Sequence, residues 1–201
     1  TASNNTAVGY QALVANTTGA NNVAIGKDAL DSNTTGANNV AIGVDALQSN
    51  TTADSNTAVG HSALGANTTA GGNVAVGYLA MQDSTTAANA TAVGYEALAN
   101  NTTSNGNHAF GFRALKACTT GSGNTAVGGS AGTAITTGTA NTVVGASALT
   151  ANTTGANNVA VGDSSGAAVT TGSHNTCIGQ DSGNGGVAIT TGTGNSLLGT
   201  F

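Results

Sequence analysis

The chain has 201 residues and a net charge of −5, and only 5% of its residues are charged and 3% aromatic. Its three basic residues, Lys27, Arg113 and Lys116, are too few to form a phosphate-binding face, so nucleic acid is not expected as a partner. No apolar run approaches the roughly 18 residues of a membrane-spanning helix, so no membrane span is expected. Val, Ile and Leu return at fixed intervals, which indicates an ordered repeat rather than a disordered chain.

A 17-residue unit repeats along the sequence. The Gly that closes each Asn-x-Ala-x-Gly cell returns every 17 residues from Gly9 to Gly179, and the last one, Gly199, follows after 20. The longer final interval predicts a three-residue insertion near 184–186. A fixed period of this kind is typical of one supersecondary unit stacked on itself. We therefore expect one domain over residues 1–201, without a linker.

The first five positions of the unit, counted from its Asn so that the first unit is Asn5–Asn21, predict a strand followed by a turn. Position 3 is Ala in nine of twelve units, and position 4 is always apolar. Alternation along a strand places positions 2 and 4 on one face and position 3 on the other. Because position 4 is the more hydrophobic, we expect it in the core and position 3 outside. Position 5 is always Gly, which suits a turn with positive φ, and the Asn at position 1 can bond to its copy in the next unit.

The second half of the unit contains an exchange between positions 9 and 12. Position 9 is Leu or Met in eight units, with Asn mostly at position 12; in three units position 9 is Gly and position 12 is Ile or Val. The exchange indicates that both positions face the same core volume. An internal Asn ladder is therefore expected at position 12, rather than N-glycosylation of the Asn-Thr-Thr cells. With position 12 inside, the first Thr of each pair should face outward and the second inward.

These assignments predict an all-β fold: a single parallel β-solenoid, or β-roll, of about 12 coils of 17 residues. Each coil should hold two short strands, around positions 1–4 and 11–14, and the rod should be on the order of 55 Å long. Open edges at both ends would invite head-to-tail stacking or continuation in a longer chain. Cys118 and Cys177 lie more than three coils apart, so we expect two free, buried thiols.

Two surface features follow from the predicted faces. An association stripe of small residues would let another rod approach closely, and an outward Thr row would run along the other predicted strand of each coil, where glycans could also be attached. The stripe consists of Ala7, Ala24, Ala41, Ala58, Ala75, Ala92, Ala109, Ala126 and Ala160. The row consists of Thr17, Thr34, Thr51, Thr68, Thr85, Thr102, Thr119, Thr136, Thr153, Thr170 and Thr190.

The sequence offers no catalytic, cofactor or metal constellation, and we expect no enzyme activity. His61, His108 and His174 occupy three different positions of the unit, so they cannot converge on one site. Asp28 and Asp45 share position 7 in adjacent units, where solvated turn carboxylates are expected because the repeating calcium motif is absent. No Gly-rich segment is followed by the Lys-Ser/Thr of a phosphate-binding loop.

Aromatic residues recur at position 6, just after the invariant Gly, as Tyr10, Tyr78, Tyr95 and Phe112. The first interpretation is that they pack over the turn and shield the edge of the coil. The alternative is a partial aromatic ridge that contacts a glycan.

The cells NNVAIGKDAL, NTAVGYQAL and NVAVGYLAM resemble the head repeats of trimeric autotransporter adhesins, the YadA-like head. They are also similar to repeats in fibre proteins of phages and aquatic microbes. The resemblance covers nearly the whole chain, although the head repeats of that family are usually shorter than this unit. It implies a left-handed parallel β-roll, often trimeric, in a fibre or adhesin at a cell or virion surface.

Two functions are therefore predicted. The first is a structural or adhesive extracellular fibre or filament that self-associates through its repeat faces or open ends, as a trimer or a head-to-tail filament. A surface glycan or a host receptor would be its further partner. The alternative is an ice-binding solenoid that uses the outward Thr row.

Overall fold

The computed structural model describes residues 2–184 and 189–200, which form an all-β structure without a helix. Twelve three-residue strands make one parallel sheet in chain order, which confirms the predicted parallel β-solenoid. The strands are β1 Thr6–Val8, β2 Val23–Ile25, β3 Val40–Ile42, β4 Thr57–Val59, β5 Val74–Val76, β6 Thr91–Val93, β7 His108–Phe110, β8 Thr125–Val127, β9 Thr142–Val144, β10 Val159–Val161, β11 Thr176–Ile178 and β12 Ser196–Leu198.

Each strand occupies positions 2–4 of its coil and pairs with the same positions of the next coil. Ala7 lies opposite Ala24, and the same 17-residue register continues to β11. Between β11 and β12 the register is 20 residues, since Thr176 lies opposite Ser196. The insertion predicted near 184–186 falls, from residue 185 onward, outside the described residues.

The prediction of two strands per coil is wrong: the described residues contain one strand per coil. Around the Thr pair, the N–H groups of Thr17 and Thr18 both donate to the carbonyl of Thr34, at 2.9 and 3.1 Å. The same shared acceptor occurs in six coils, whereas in coils 3, 4, 6 and 9 only the first Thr donates to the next coil. In neither case does the evenly spaced ladder of a parallel strand pair form. The segment bends instead, although it still bonds to the next coil.

The predicted faces of the strands are inverted. Position 3, which we expected outside, is buried in β2–β11, half-buried in β12 and exposed in β1. Positions 2 and 4, which we expected inside, are half-exposed or exposed in all twelve strands. Of the predicted association stripe, only Ala7 in the first coil is exposed. The other members are fully buried, namely Ala24, Ala41, Ala58, Ala75, Ala92, Ala109, Ala126 and Ala160.

The thin interior explains the inversion. A side chain at Gly166, position 9 of its coil, would begin 3.7 Å from the Cβ of Ala160 and 3.2 Å from the Cδ1 of Leu149. Position 3 therefore faces position 9 directly across the coil. Because position 9 supplies a large Leu, the opposite position generally has room for Ala in a close-packed interior. Val143 fits opposite Leu149 in a coil whose two neighbours have Gly at position 9.

The exchange between positions 9 and 12 is confirmed as a feature of the core. A Cβ at Gly132 would lie 2.9 Å from the Cδ1 of Ile135, so Ile135 fills the volume that Leu fills in other coils. Position 9 also has positive φ, for example 52° at Leu64 and 58° at Gly132. A Leu at position 9 adds apolar volume but is strained in this backbone conformation, which favours Gly. A Gly at position 9 removes the strain, and Ile or Val at position 12 then fills the volume.

Two Asn ladders line the interior; the sequence predicts the one at position 12 as internal, and for position 1 it predicts only the bond between copies. At position 1, the backbone N–H and the Nδ2 of Asn39 donate to the Oδ1 of Asn22 at 2.9 and 3.2 Å. At position 12, the Nδ2 of Asn50 donates to the Oδ1 of Asn33 at 2.9 Å. The Asn side chains that the Asn-Thr-Thr pattern marks for N-glycosylation are fully buried in five cells, at Asn33, Asn50, Asn67, Asn101 and Asn152. Cys118 and Cys177 are free and buried, also as predicted.

We predict that Gly111→Ala disrupts the stacking of coils. The added Cβ would lie 2.5 Å from the carbonyl oxygen of Gly128, at a φ of 139°. We expect a loss of about 3 kcal/mol or more in unfolding free energy, measured by denaturant unfolding. The control is Gly129→Ala, whose Cβ would meet nothing within 4 Å; equal stability of the two variants would contradict the close contact at position 5.

We predict that Leu149→Gly combined with Asn152→Ile stabilises the chain. Both amide atoms of Asn152 are buried without a hydrogen-bond partner, because Ile135 and Val169 occupy position 12 of the adjacent coils. Removing the unpaired amide should add about 1–3 kcal/mol, seen as a higher thermal midpoint.

The matched control is the same pair of substitutions in coil 3, Leu47→Gly with Asn50→Ile. There the Nδ2 of Asn50 donates to the Oδ1 of Asn33 at 2.9 Å, and the Oδ1 of Asn50 accepts from the Nδ2 of Asn67 at 3.0 Å, so the control should lose stability. An equal change in the two coils would contradict this account of the Asn ladder.

Candidate functional site

The outward side chains of the sheet form a flat, uncharged surface, which we call the strand face: positions 2 and 4 of β1–β12. Position 4 holds the larger groups, with Ile25 38% exposed and Val127 41% exposed. Position 2 is Thr or Val in ten strands and His108 or Ser196 in the other two. No Asp, Glu, Lys or Arg belongs to the face. Neighbouring side chains in a column are about 4.8 Å apart, and the two columns about 7 Å apart.

A sequence signal for this surface exists at position 2. The position shares its face with position 4, and it accepts Thr, His and Ser as well as Val. A fully buried position of a thin core rarely accepts such polar groups. Position 3, in contrast, contains only Ala, Val, Cys and Leu, which is typical of a buried position.

The predicted Thr row is half-buried in nine of its members, while Thr17 and Thr190 are exposed. Its hydroxyl groups donate along the rod, as Thr34 Oγ1 does to the carbonyl of Thr51 at 3.0 Å. Ten of the eleven hydroxyls make this bond to the next coil. The row therefore reinforces the stacking of coils, and its hydroxyl protons are committed to the backbone.

The prediction that the second Thr of each pair faces inward is wrong. All eleven residues at position 14 are exposed, and position 15, for example Gly36 or Ala53, is buried instead. The cause is the bend at the Thr pair, which interrupts the inward–outward alternation of an extended strand. The rod therefore carries two adjacent columns of Thr on this side.

Four rings at position 6 of coils 4–7 stack into what we call the aromatic ladder: His61, Tyr78, Tyr95 and Phe112. The centroids of successive rings are 5.4, 5.2 and 5.4 Å apart, with interplanar angles of 26°, 11° and 16°. The spacing follows from the stacking of coils, which brings equivalent side chains together. Tyr10 stands apart from the ladder, because position 6 of coils 2 and 3 holds Lys27 and Val44.

A charged cluster lies beside Tyr95 and Phe112 of the aromatic ladder. The carboxylate of Glu96 accepts bonds from Arg113 Nε at 2.8 Å and Lys116 Nζ at 2.6 Å. The bond from Lys116, followed by that from Arg113, lowers the pKa of Glu96. The Cζ of Arg113 is also 4.9 Å from the ring centroid of Phe112. Positions 6, 7 and 10 thus share one side of the rod.

The remaining candidates do not assemble into a site. His61, His108 and His174 belong to positions 6, 2 and 17, and residues 2–184 and 189–200 contain no group of three or more metal-binding side chains. Asp28, expected to be solvated, is only 8% exposed, and its Oδ2 lies 3.0 Å from Lys27 Nζ. Asp45 is half-buried.

No protein-family model matches the chain, and a search of curated proteins finds no matching sequence. In the part of the chain that the structure describes, no helix is long and apolar enough to cross a membrane.

Proposed function

We propose that the chain is a module of an extracellular structural or adhesive fibre, whose copies associate through their strand faces. The observation that carries the proposal is the unbroken column of Val, Ile, Phe and Leu side chains at position 4 of all twelve strands, of which eight are exposed and four half-buried. Continuous apolar surfaces of this length usually mark an interface. The resemblance to head repeats of surface adhesins supports the same function and an extracellular location.

A second copy of the same chain is the partner that fits the strand face best. Its columns have the same spacing along the rod, so every side chain of one face meets an equivalent environment on the other. Neither face introduces a charge that would be buried without a partner. Repetition of one interaction along the rod would also give a stiff, elongated assembly, which is what a fibre requires.

The size of the face sets a lower limit on the area that association would bury. Twelve strands at about 4.8 Å, each about 10 Å long, cover roughly 530 Å² per copy. A pair would bury about 1,100 Å², near the lower limit for a stable specific interface. A trimer or a head-to-tail filament would bury more area per copy only where surface beyond the strand face is also in contact.

We predict that Val93→Asp weakens self-association. The substitution places a carboxylate in the middle of the strand face, where burial between copies would cost several kcal/mol. Sedimentation velocity should show oligomers for the native chain and mainly monomers for the variant. The matched control, Thr103→Asp, adds the same charge in the same coil at an exposed position off the face, and should still associate. A native chain that is monomeric at micromolar concentration would contradict the proposal.

An ice-binding function is the second candidate, and the strand face favours it more than the Thr row does. The face contains no Asp, Glu, Lys or Arg, and its two columns consist mainly of Thr, Val and Ile, with His108 and Phe110 in β7 and Ser196 and Leu198 in β12. The hydroxyl protons of the Thr row, in contrast, are already bonded to backbone carbonyls.

Thermal hysteresis of the purified chain distinguishes the two functions. An ice-binding strand face predicts hysteresis from the native monomer, its loss in Val93→Asp and its retention in Thr103→Asp. A fibre module predicts oligomers and no hysteresis in any of the three proteins.

A further inference from the structure

A polar notch of about 250 Å³ opens on the side of the rod formed by positions 7, 10 and 11 of coils 3–5. It arises at Gly65, which occupies position 10 of coil 4 between Gln48 and Gln82 in the adjacent coils. Because Gly65 has no side chain, the two amides stand on either side of a gap. Asp45 and Asp83 also line the notch.

The functional groups of the notch match the hydroxyl groups of a sugar. Carboxylates accept hydrogen bonds from pairs of hydroxyls, and primary amides both donate and accept. No Lys, Arg or His lines the notch, so its two carboxylates disfavour sialylated, sulfated or phosphorylated ligands. The volume is below the roughly 300–1,000 Å³ of pockets for drug-sized ligands, which suits one sugar ring.

The aromatic ladder begins beside the notch. Ser62 lines the notch, and its Oγ lies 3.0 Å from the Nδ1 of His61, the first ring of the ladder. His61 stacks on Tyr78, which is 46% exposed. His61 therefore lies next to a residue of the notch, and the rings that stack on it can contact the C–H groups of a sugar chain that extends beyond the notch. A combination of aromatic surface with a few polar groups is typical of ligand sites.

The gap at position 10 and the stacked rings at position 6 both depart from the repeat, and both occur in coil 4. Position 10 carries a side chain in the other described coils, and stacked rings occur at position 6 only in coils 4–7 of the described residues. The stacking of coils requires neither feature, since the backbone bonds of coil 4 are those of its neighbours. The coincidence of a gap, polar walls and an aromatic border indicates a recognition site.

We propose that this notch, with His61 and Tyr78 at its border, binds an uncharged carbohydrate. One sugar ring enters the gap above Gly65 and bonds to Asp45, Gln48, Gln82 and Asp83. The rest of the chain follows the ladder toward Tyr95. The site shares no residue with the strand face, so it does not depend on the proposed association.

The test uses the full chain and a panel of neutral oligosaccharides of glucose, galactose, mannose and N-acetylglucosamine, screened by saturation-transfer NMR and then titrated. We expect at least one neutral oligosaccharide to bind, and Gly65→Gln to weaken that binding at least tenfold. The new Cβ would lie 3.3 Å from the carbonyl of Ser62 and 3.6 Å from that of Asp45, so the substitution fits with a small adjustment and repeats the Gln of the adjacent coils.

The matched control is Thr133→Gln, which introduces the same residue at position 10 of coil 8. This variant should bind like the native chain. Tyr78→Ala should weaken binding to longer oligosaccharides more than to single sugars, because it removes part of the border only. Absence of binding across the neutral panel overturns the proposal. Equal binding by Gly65→Gln, binding only of anionic sugars, or binding of Ca²⁺ alone would overturn it as well.

Discussion

Direct contact between successive backbones at position 5 is the constraint on which the rest of the structure depends. Each of these glycines has φ between 115° and 140°, and a Cβ at Gly111 would meet the carbonyl of the next Gly at 2.5 Å. Coils can therefore stack only if this position has no side chain. Once they stack in this way, every other position comes to lie over its own copy.

Stacking therefore places equivalent residues of successive coils in columns. The type of residue determines how the members of each column interact. Buried Asn side chains form ladders, Thr hydroxyls bond to the carbonyl of the next coil, and aromatic residues stack ring on ring. Apolar side chains that point outward form a continuous surface. A single short unit thus produces both the stability of the rod and its most extensive exposed feature.

The fold and much of the core could be predicted from the sequence, whereas two signals conflict over the orientation of the strand: the hydrophobicity of position 4 favours burial of its face, and the Thr, His and Ser at position 2 favour its exposure. The period, the register and the shared volume of positions 9 and 12 follow from comparing units, as with Gly132 and Ile135. Alternation divides position 3 from positions 2 and 4, but it does not say which side is inside. Hydrophobicity favours Val over Ala in the core, yet Leu opposite position 3 leaves room only for a small residue. The bend at the Thr pair, where in six coils one carbonyl accepts two donors, is not indicated by any pattern of residue types.

The described surface separates into a regular part and an irregular part. The strand face repeats without a charge over twelve strands, which suits an interaction with copies of the same chain. The notch at Gly65 and the aromatic ladder interrupt the repeat on the side formed by positions 6, 7, 10 and 11, which suits recognition of a different molecule. In this account a fibre would carry its ligand sites away from the surface that holds it together.

The central claim, that position 3 is inside and position 4 outside, can be tested with the thiol of Cys177, which occupies position 3 of β11. A thiol-reactive dye should label neither Cys177 nor Cys118 in the folded chain, since both are buried and burial raises the pKa of both thiols. In a dilute Ile178→Cys variant the dye should label one thiol rapidly and the other two only after unfolding. Rapid labelling of Cys177 in the folded native chain, with protection of the thiol at position 178 in the variant, would contradict the account.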